Sequence, residues 1–384
     1  MFSVDLQELV DQGNLDIEVV EVDSADNSFV GGVTVQDWDN GDLGFRNDDV
    51  AYFGTVQNIT ATDATTGVTS DSKSGSVFRY FPADADTNLL IDVDRPVFET
   101  PIALSRDTLT NDILASWIYI GTGIFLTRED AQITDQEYFL GVIEPIDLNA
   151  LNNLTFSVNR EDSELLSYNP VDFNQQDFGD LHDVTDIAVL AENETTGVNA
   201  GQLETPELVA GVAGTVGGGT GITATTVDQL AGAIVGRTRG WIRLLPANPN
   251  ANPPVPSSRI TGAAVPFNSQ LFFTAFQPLP PTGFEICEGE TGNSNIFALN
   301  QSTGTASTVG TFGEENGEFG FMSDDISGNI SSPLIFNSES LGANRGVIIT
   351  QKENGALTPN SQDGDANNRI NNATDLRSSW REIN

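Results

Sequence analysis

Apolar residues in this chain come in runs of strand length, each closed by glycine, asparagine, aspartate or proline, and that rhythm leaves little room for helices. The runs are Val50–Val56, Ser76–Phe81, Pro101–Leu104, Trp117–Leu126, Tyr138–Ile143 and Asp186–Leu190. They continue with Gly240–Leu245, Gly262–Phe267, Gln270–Phe276, Asn295–Leu299, Ser332–Phe336 and Gly346–Thr350. They are rich in Val, Ile, Phe and Tyr, side chains that fit a pleated surface. So many short runs at this spacing predict an all-β fold.

The runs also rhyme. An opening apolar strand is followed by a second strand, and then by a Thr-Gly or Asn-Gly turn. Gln270–Phe276 leads to Ile296–Asn300 and Ser302-Thr303-Gly304; Ser332–Phe336 leads to Gly346–Thr350 and Glu353-Asn354-Gly355. Repeated units of this kind are how a β-propeller is written, with small antiparallel sheets covering one another's edges. The expected architecture is a propeller of four-stranded antiparallel blades spanning 1–384, with a β-sandwich as the plainer alternative.

Three segments interrupt the rhyme. Residues 193–222 are crowded with glycines (Gly211, Gly214, Gly217, Gly218, Gly219, Gly221) and read as an insertion loop. Thr226–Gly236 places Val227, Leu230, Ala231, Ile234 and Val235 on one helical stripe, with Thr225 or Thr226 to cap its start and Gly236 to end it. The tract Pro246–Pro256 alternates Pro and Asn and reads as an exposed loop. The N-terminus, Met1–Leu6, looks like a strand already under way, so the chain is expected to begin inside a larger protein.

Charge narrows the partners. The 384 residues carry 55 acidic against 16 basic side chains, a formal net charge of −39, and the lysines are Lys73 and Lys352. Such a surface repels nucleic-acid phosphates and anionic lipid heads and attracts cations. Solubility in salty or external water accounts for most of this excess. With one cysteine, Cys287, and one histidine, His182, the chain can form no internal disulfide and no Cys- or His-rich metal centre. No apolar run approaches the length of about 20 residues that spans a bilayer.

A hard cation bound by oxygen remains open. Calcium takes roughly six to eight oxygen ligands, and alternate residues of a turning loop aim at one centre. Asp37 and Asp39 have that spacing, Asp42 is close behind, and Asp48 and Asp49 stand just before the strand Val50-Ala51-Tyr52-Phe53-Gly54-Thr55. A second candidate is Asp84, Asp86, Asn88 and Asp92, spaced like an EF-hand loop but with Leu89 where that loop needs glycine. The alternative for both is a solvated turn in a very acidic chain. Asp363-Gly364-Asp365-Ala366-Asn367 reads as a polar hairpin loop.

Catalytic patterns are thin. Any triad would have to use His182, and no Gly-x-Ser-x-Gly elbow is present. Cys287 sits between acids, which disfavours a thiolate. Gly217-Gly218-Gly219-Thr220-Gly221 lacks the lysine of a phosphate loop.

Several phrases, in order, resemble the C-terminal β-propeller domain of the PilY family of type IV pilus proteins. They are Asp49–Val56, Val93-Asp94-Arg95-Pro96-Val97, Trp117–Gly123, Thr134–Val142, Asp183-Val184-Thr185-Asp186, Arg239-Gly240-Trp241 with Leu244-Leu245-Pro246, Leu271-Phe272-Phe273-Thr274, and Ser378–Ile383. The family's earliest blades have no counterpart. The resemblance implies a quinoprotein-like propeller with a calcium site in an acidic loop, extracellular at a pilus tip, where it supports pilus assembly and adhesion to a host or abiotic surface with pilins or minor pilins as partners. The acidic loop leading into the "YFGT" strand corresponds to Asp37, Asp39 and Asp49, with extra residues between the early and late acids. The expected role is non-enzymatic. The alternatives are a quinoprotein-like or carbohydrate-active propeller enzyme, for which Arg106, Arg128 and Arg243 would be the scarce cationic groups, and an acidic structural surface protein.

Overall fold

The computed structural model describes residues 2–4, 17–19, 28–36, 50–62, 69–81, 86–110, 113–126, 129–147, 166–167, 180–192, 199–211, 220–248, 250–251, 254–279, 292–308, 311–312, 314–315, 317–337, 346–351 and 357–361. These are mostly strands, with one α-helix, so the chain is all-β as its apolar rhythm predicts. The chain groups into two compact units, Met1–Gly123 with Val142–Asp180 and Ile124–Gly141 with Leu181–Asn384.

The first unit is built on the strand Val50–Thr62. Ser28–Gln36 pairs antiparallel on one side, and Ser76–Phe81 and Thr69–Ser74 pair antiparallel as well. Asp86–Asp92 extends the sheet beyond Ser76–Phe81, and the two-residue strand Leu166–Ser167 adds to it in parallel. Flanked by strands, Val50, Ala51, Tyr52, Phe53 and Val56 are all buried, which explains why this run is continuously apolar rather than alternating. Phe53 stacks on Phe78 with ring centroids 5.8 Å apart, a pair worth about 1 kcal/mol beyond the area it buries. Ile102–Thr110 and Ile113–Gly121 form a further antiparallel pair in this unit.

Three of the phrases singled out in the sequence meet here. Val97 donates its N–H to the carbonyl of Thr55 (3.0 Å), and Gly123 donates to the carbonyl of Pro96 (2.9 Å). The segment Asp94–Val97 thus ties the end of the "YFGT" strand to the end of the "WIYIGTG" strand. It turns into this course through Asp94, a non-glycine residue at φ 49°. Gly54 makes the approach possible, because a Cβ there would overlap the backbone and side chain of Val97.

In the second unit, Gln270–Pro278 and Gly292–Asn300 pair antiparallel along their whole length. Asn268 and Ser269, at φ 48° and 62°, form the two-residue turn that leads from Val265–Phe267 into Gln270–Pro278. Both central residues are left-handed, as the type I′ hairpin requires. The predicted Thr-Gly turn after Asn300 is present, with Gly304 at φ 67° donating to the carbonyl of Asn300. Leu334–Asn337, Gly346–Gln351 and Leu357–Ser361 form a three-stranded antiparallel sheet, the second occurrence of the same rhyme.

Aromatic rings stack along the interior of this unit. Phe139 and Phe273 lie 4.0 Å apart, Phe273 and Phe297 lie 4.9 Å apart, and both pairs are nearly parallel. Trp241 continues the column beside Phe139. Its ring fits between Gly141 and Gly304, where any Cβ would strike it, and its Nε1–H donates to the carbonyl of Gln301 (3.0 Å).

The α-helix runs Val227–Arg237, and Thr226 accepts from the N–H of Gln229 as its N-cap. It buries Val227, Leu230, Ala233 and Ile234. It ends later than Gly236, because Thr238 donates its N–H to the carbonyl of Ile234 and so closes the last turn itself. Within the glycine-rich segment, Gln202–Val209 is a strand paired antiparallel with Ile222–Thr226; Leu203 and Val209 are buried there, so their packing sets the local structure despite the glycines nearby. The predicted strand Asp186–Leu190 is reduced to single bridges at Val189 and Leu190, and the short strand lies earlier, at His182–Asp183, in parallel with Trp241–Ile242. The Pro/Asn tract is a loop pinned by paired hydrogen bonds between Asn248 and Val255.

Two substitutions test these local requirements by chemical denaturation. Ser269→Gly relieves one left-handed position and is expected to raise stability by about 1 kcal/mol. Gly54→Val forces the Val97 segment away and is expected to destabilise the protein by 1 kcal/mol or more, on the order of an overpacked core.

Candidate functional site

The acidic segment between Gln36 and Val50 is the strongest chemical signal in the sequence, and its own residues, Asp37, Asp39, Asp42, Asp48 and Asp49, lie outside the described ones. The structure does describe what holds its two ends. Gln36 and Val50 are direct partners across the antiparallel pair. Directly opposed residues in such a pair have Cα atoms roughly 4.5–5.5 Å apart. The acidic segment is therefore anchored at both ends on one rung of a ladder.

Beside that rung lies a buried polar network. Ser116 donates its hydroxyl to Gln36 Oε1 (2.7 Å). Tyr52 donates its phenol to Glu144 Oε2, and Arg79 donates from Nη1 to Glu144 Oε1, forming an ion pair. Tyr52, Arg79, Ser116 and Glu144 are each no more than 1% exposed. Burial pushes the Tyr52 phenol well above its ordinary value; the charge of Glu144 and its hydrogen bond add to the rise, while Arg79 and a hydrogen bond with Ser116 oppose it. A charged pair removed from water is held only when each partner satisfies the other, so loss of one member leaves an isolated buried charge. The network was not legible beforehand, but it leaves a trace in the sequence. Arg79 and Glu144 are single charges inside otherwise apolar runs, Val77-Phe78-Arg79-Tyr80-Phe81 and Val142-Ile143-Glu144.

The second candidate has a different setting. Asp86, Asn88 and Asp92 stand on the extended strand Asp86–Asp92, and Asp84 lies outside the described residues. Extended chain sets Asn88 and Asp92 about 13 Å apart, so the structure does not bring them together. Asp92 instead accepts from Ser76 Oγ (3.0 Å) and from the N–H of Asp94 (3.2 Å). Among the described residues, no three His, Cys, Asp or Glu side chains are gathered as a metal would need. The hairpin-loop reading of 363–367 and Cys287 also fall outside the described residues.

His182 is buried in the second unit with Nε2 3.4 Å from Glu207 Oε1. Its neighbour Asp183 faces its own loop, accepting from the N–H (2.9 Å) and hydroxyl (2.6 Å) of Thr185. The phrase containing them is an anchor: Thr185 Oγ1 accepts from the N–H of Leu244, and the Val184 carbonyl accepts from Arg243 Nη1 (2.9 Å in each case). Arg243 also lies over the ring of Phe321, 3.9 Å from its centre. Burial lowers its pKa to about 10, against the pull of Asp183 and Asp186. Of the side chains named for a triad or a cofactor, His182 and Arg243 are thus packed inside the second unit, while the side chain of Arg106 and all of Arg128 lie outside the described residues.

No family model and no curated protein matches the chain. Among solved structures, it is similar to the C-terminal domain of PilY1 from Pseudomonas aeruginosa, with 10% sequence identity, a TM-score of 0.41, and coverage of 94% of this chain and 77% of that one. It is also matched to a Bacteroides ovatus chain named as a dipeptidyl aminopeptidase IV, at 12% identity, a TM-score of 0.18, and coverage of 88% of this chain and 48% of that one.

Replacing Glu144 by Gln is expected to cost about 3–5 kcal/mol in urea unfolding, and replacing the pair together by Arg79→Met and Glu144→Leu to cost less than the single change. Tyr52 adds a pH signature. Its folded pKa is raised, so its contribution is complete below the unfolded value of about 10 and is lost as pH rises beyond it. The melting temperature should fall above that pH, and Tyr52→Phe should make the fall shallower; equal slopes in both proteins would refute the assignment.

Proposed function

We propose that the chain is an extracellular, non-enzymatic PilY-like domain of a type IV pilus, and that a calcium ion held by the acidic segment orders the hairpin that opens its first unit. The ligands would be drawn from Asp37, Asp39, Asp42, Asp48 and Asp49. Calcium is favoured over transition metals because these donors are all hard carboxylate oxygens. The observation that carries the reading is the anchoring of that segment on the Gln36–Val50 rung. A loop whose ends are already fixed loses less entropy when its carboxylates close on an ion.

The pilus assignment is supported by the ordered set of phrases, several of which pack together within each unit. Val97 bridges the "YFGT" and "WIYIGTG" strands in the first unit, and Phe139, Trp241 and Phe273 stack in the second. Pilins or minor pilins would be the structural partners, with adhesion to a host or abiotic surface as the outcome. No described helix is long and apolar enough to cross a membrane.

Calcium is expected to raise the melting temperature reversibly, EDTA to lower it again, and terbium luminescence excited through aromatic residues to titrate with the same stoichiometry. Asp39→Ala should abolish all three effects. A wild-type protein indifferent to calcium and EDTA, or an Asp39→Ala variant indistinguishable from it, overturns the ion site. Immunogold labelling of pili tests the location, with the single label at fibre ends expected and a uniform coat along cells against it.

A further inference from the structure

We draw no further inference here: the strongest candidate, the shallow groove beside the helix Val227–Arg237 lined by Ile222, Thr223, Gly232, Ala233 and Gly236 and flanked by the exposed Leu208, is an apolar face for which nothing in the structure shows what covers it.

Discussion

The first unit depends on a carboxylate in the wrong medium. Glu144 is buried with its charge, and the arrangement holds because Arg79 and Tyr52 reach it from two neighbouring strands. Apolar packing alone tolerates a shifted register, since one methyl group resembles another. An ion pair with a phenol on its second oxygen does not, because a slip by one residue would turn every one of these side chains to the other face of the sheet. The network therefore sets which residues face each other, while Phe53, Phe78 and their neighbours form an apolar cluster in the same sheet.

The second unit solves the same problem with shape. The rings from Trp241 through Phe139 and Phe273 to Phe297 form a continuous column. Arg243 closes one side with a cation over Phe321 and with hydrogen bonds to the carbonyls of Val184 and Gly304. Arg259 is used similarly, donating from Nη2 to the carbonyl of Ile133 (2.7 Å). In a chain with so few cationic residues, two of them, Arg243 and Arg259, lie inside and are bonded to backbone carbonyls.

Much of the strand pattern was legible in the sequence, because a strand of this fold is a local object: β-branched and aromatic residues bounded by turn formers. The helix was legible for the same reason, down to a threonine cap, which falls on Thr226 of the two candidates Thr225 and Thr226. Its end was not, since Thr238 closes the last turn with a hydrogen bond that no composition rule favours over a glycine stop. The strand inside the glycine-rich segment was hidden because the glycines lie around it while the buried Leu203 and Val209 decide it. The surroundings of the candidate site were legible only in part. Acid spacing pointed to 37–49, yet the Ser116–Gln36 contact beside the rung that anchors it joins residues 80 positions apart, which no local pattern encodes.

That rung has a mechanical consequence. A pulling force applied through residues 37–49 would load the Gln36–Val50 pair first and open the two strands like a zipper, one rung at a time. Zippers of this geometry are weak when every rung is alike. Here Gln36 on the first rung and Tyr52 two rungs further in are both bound sideways to buried polar groups on other strands, so opening this end breaks side-chain hydrogen bonds as well as backbone ones. The strand pair is reinforced at the end where traction would enter.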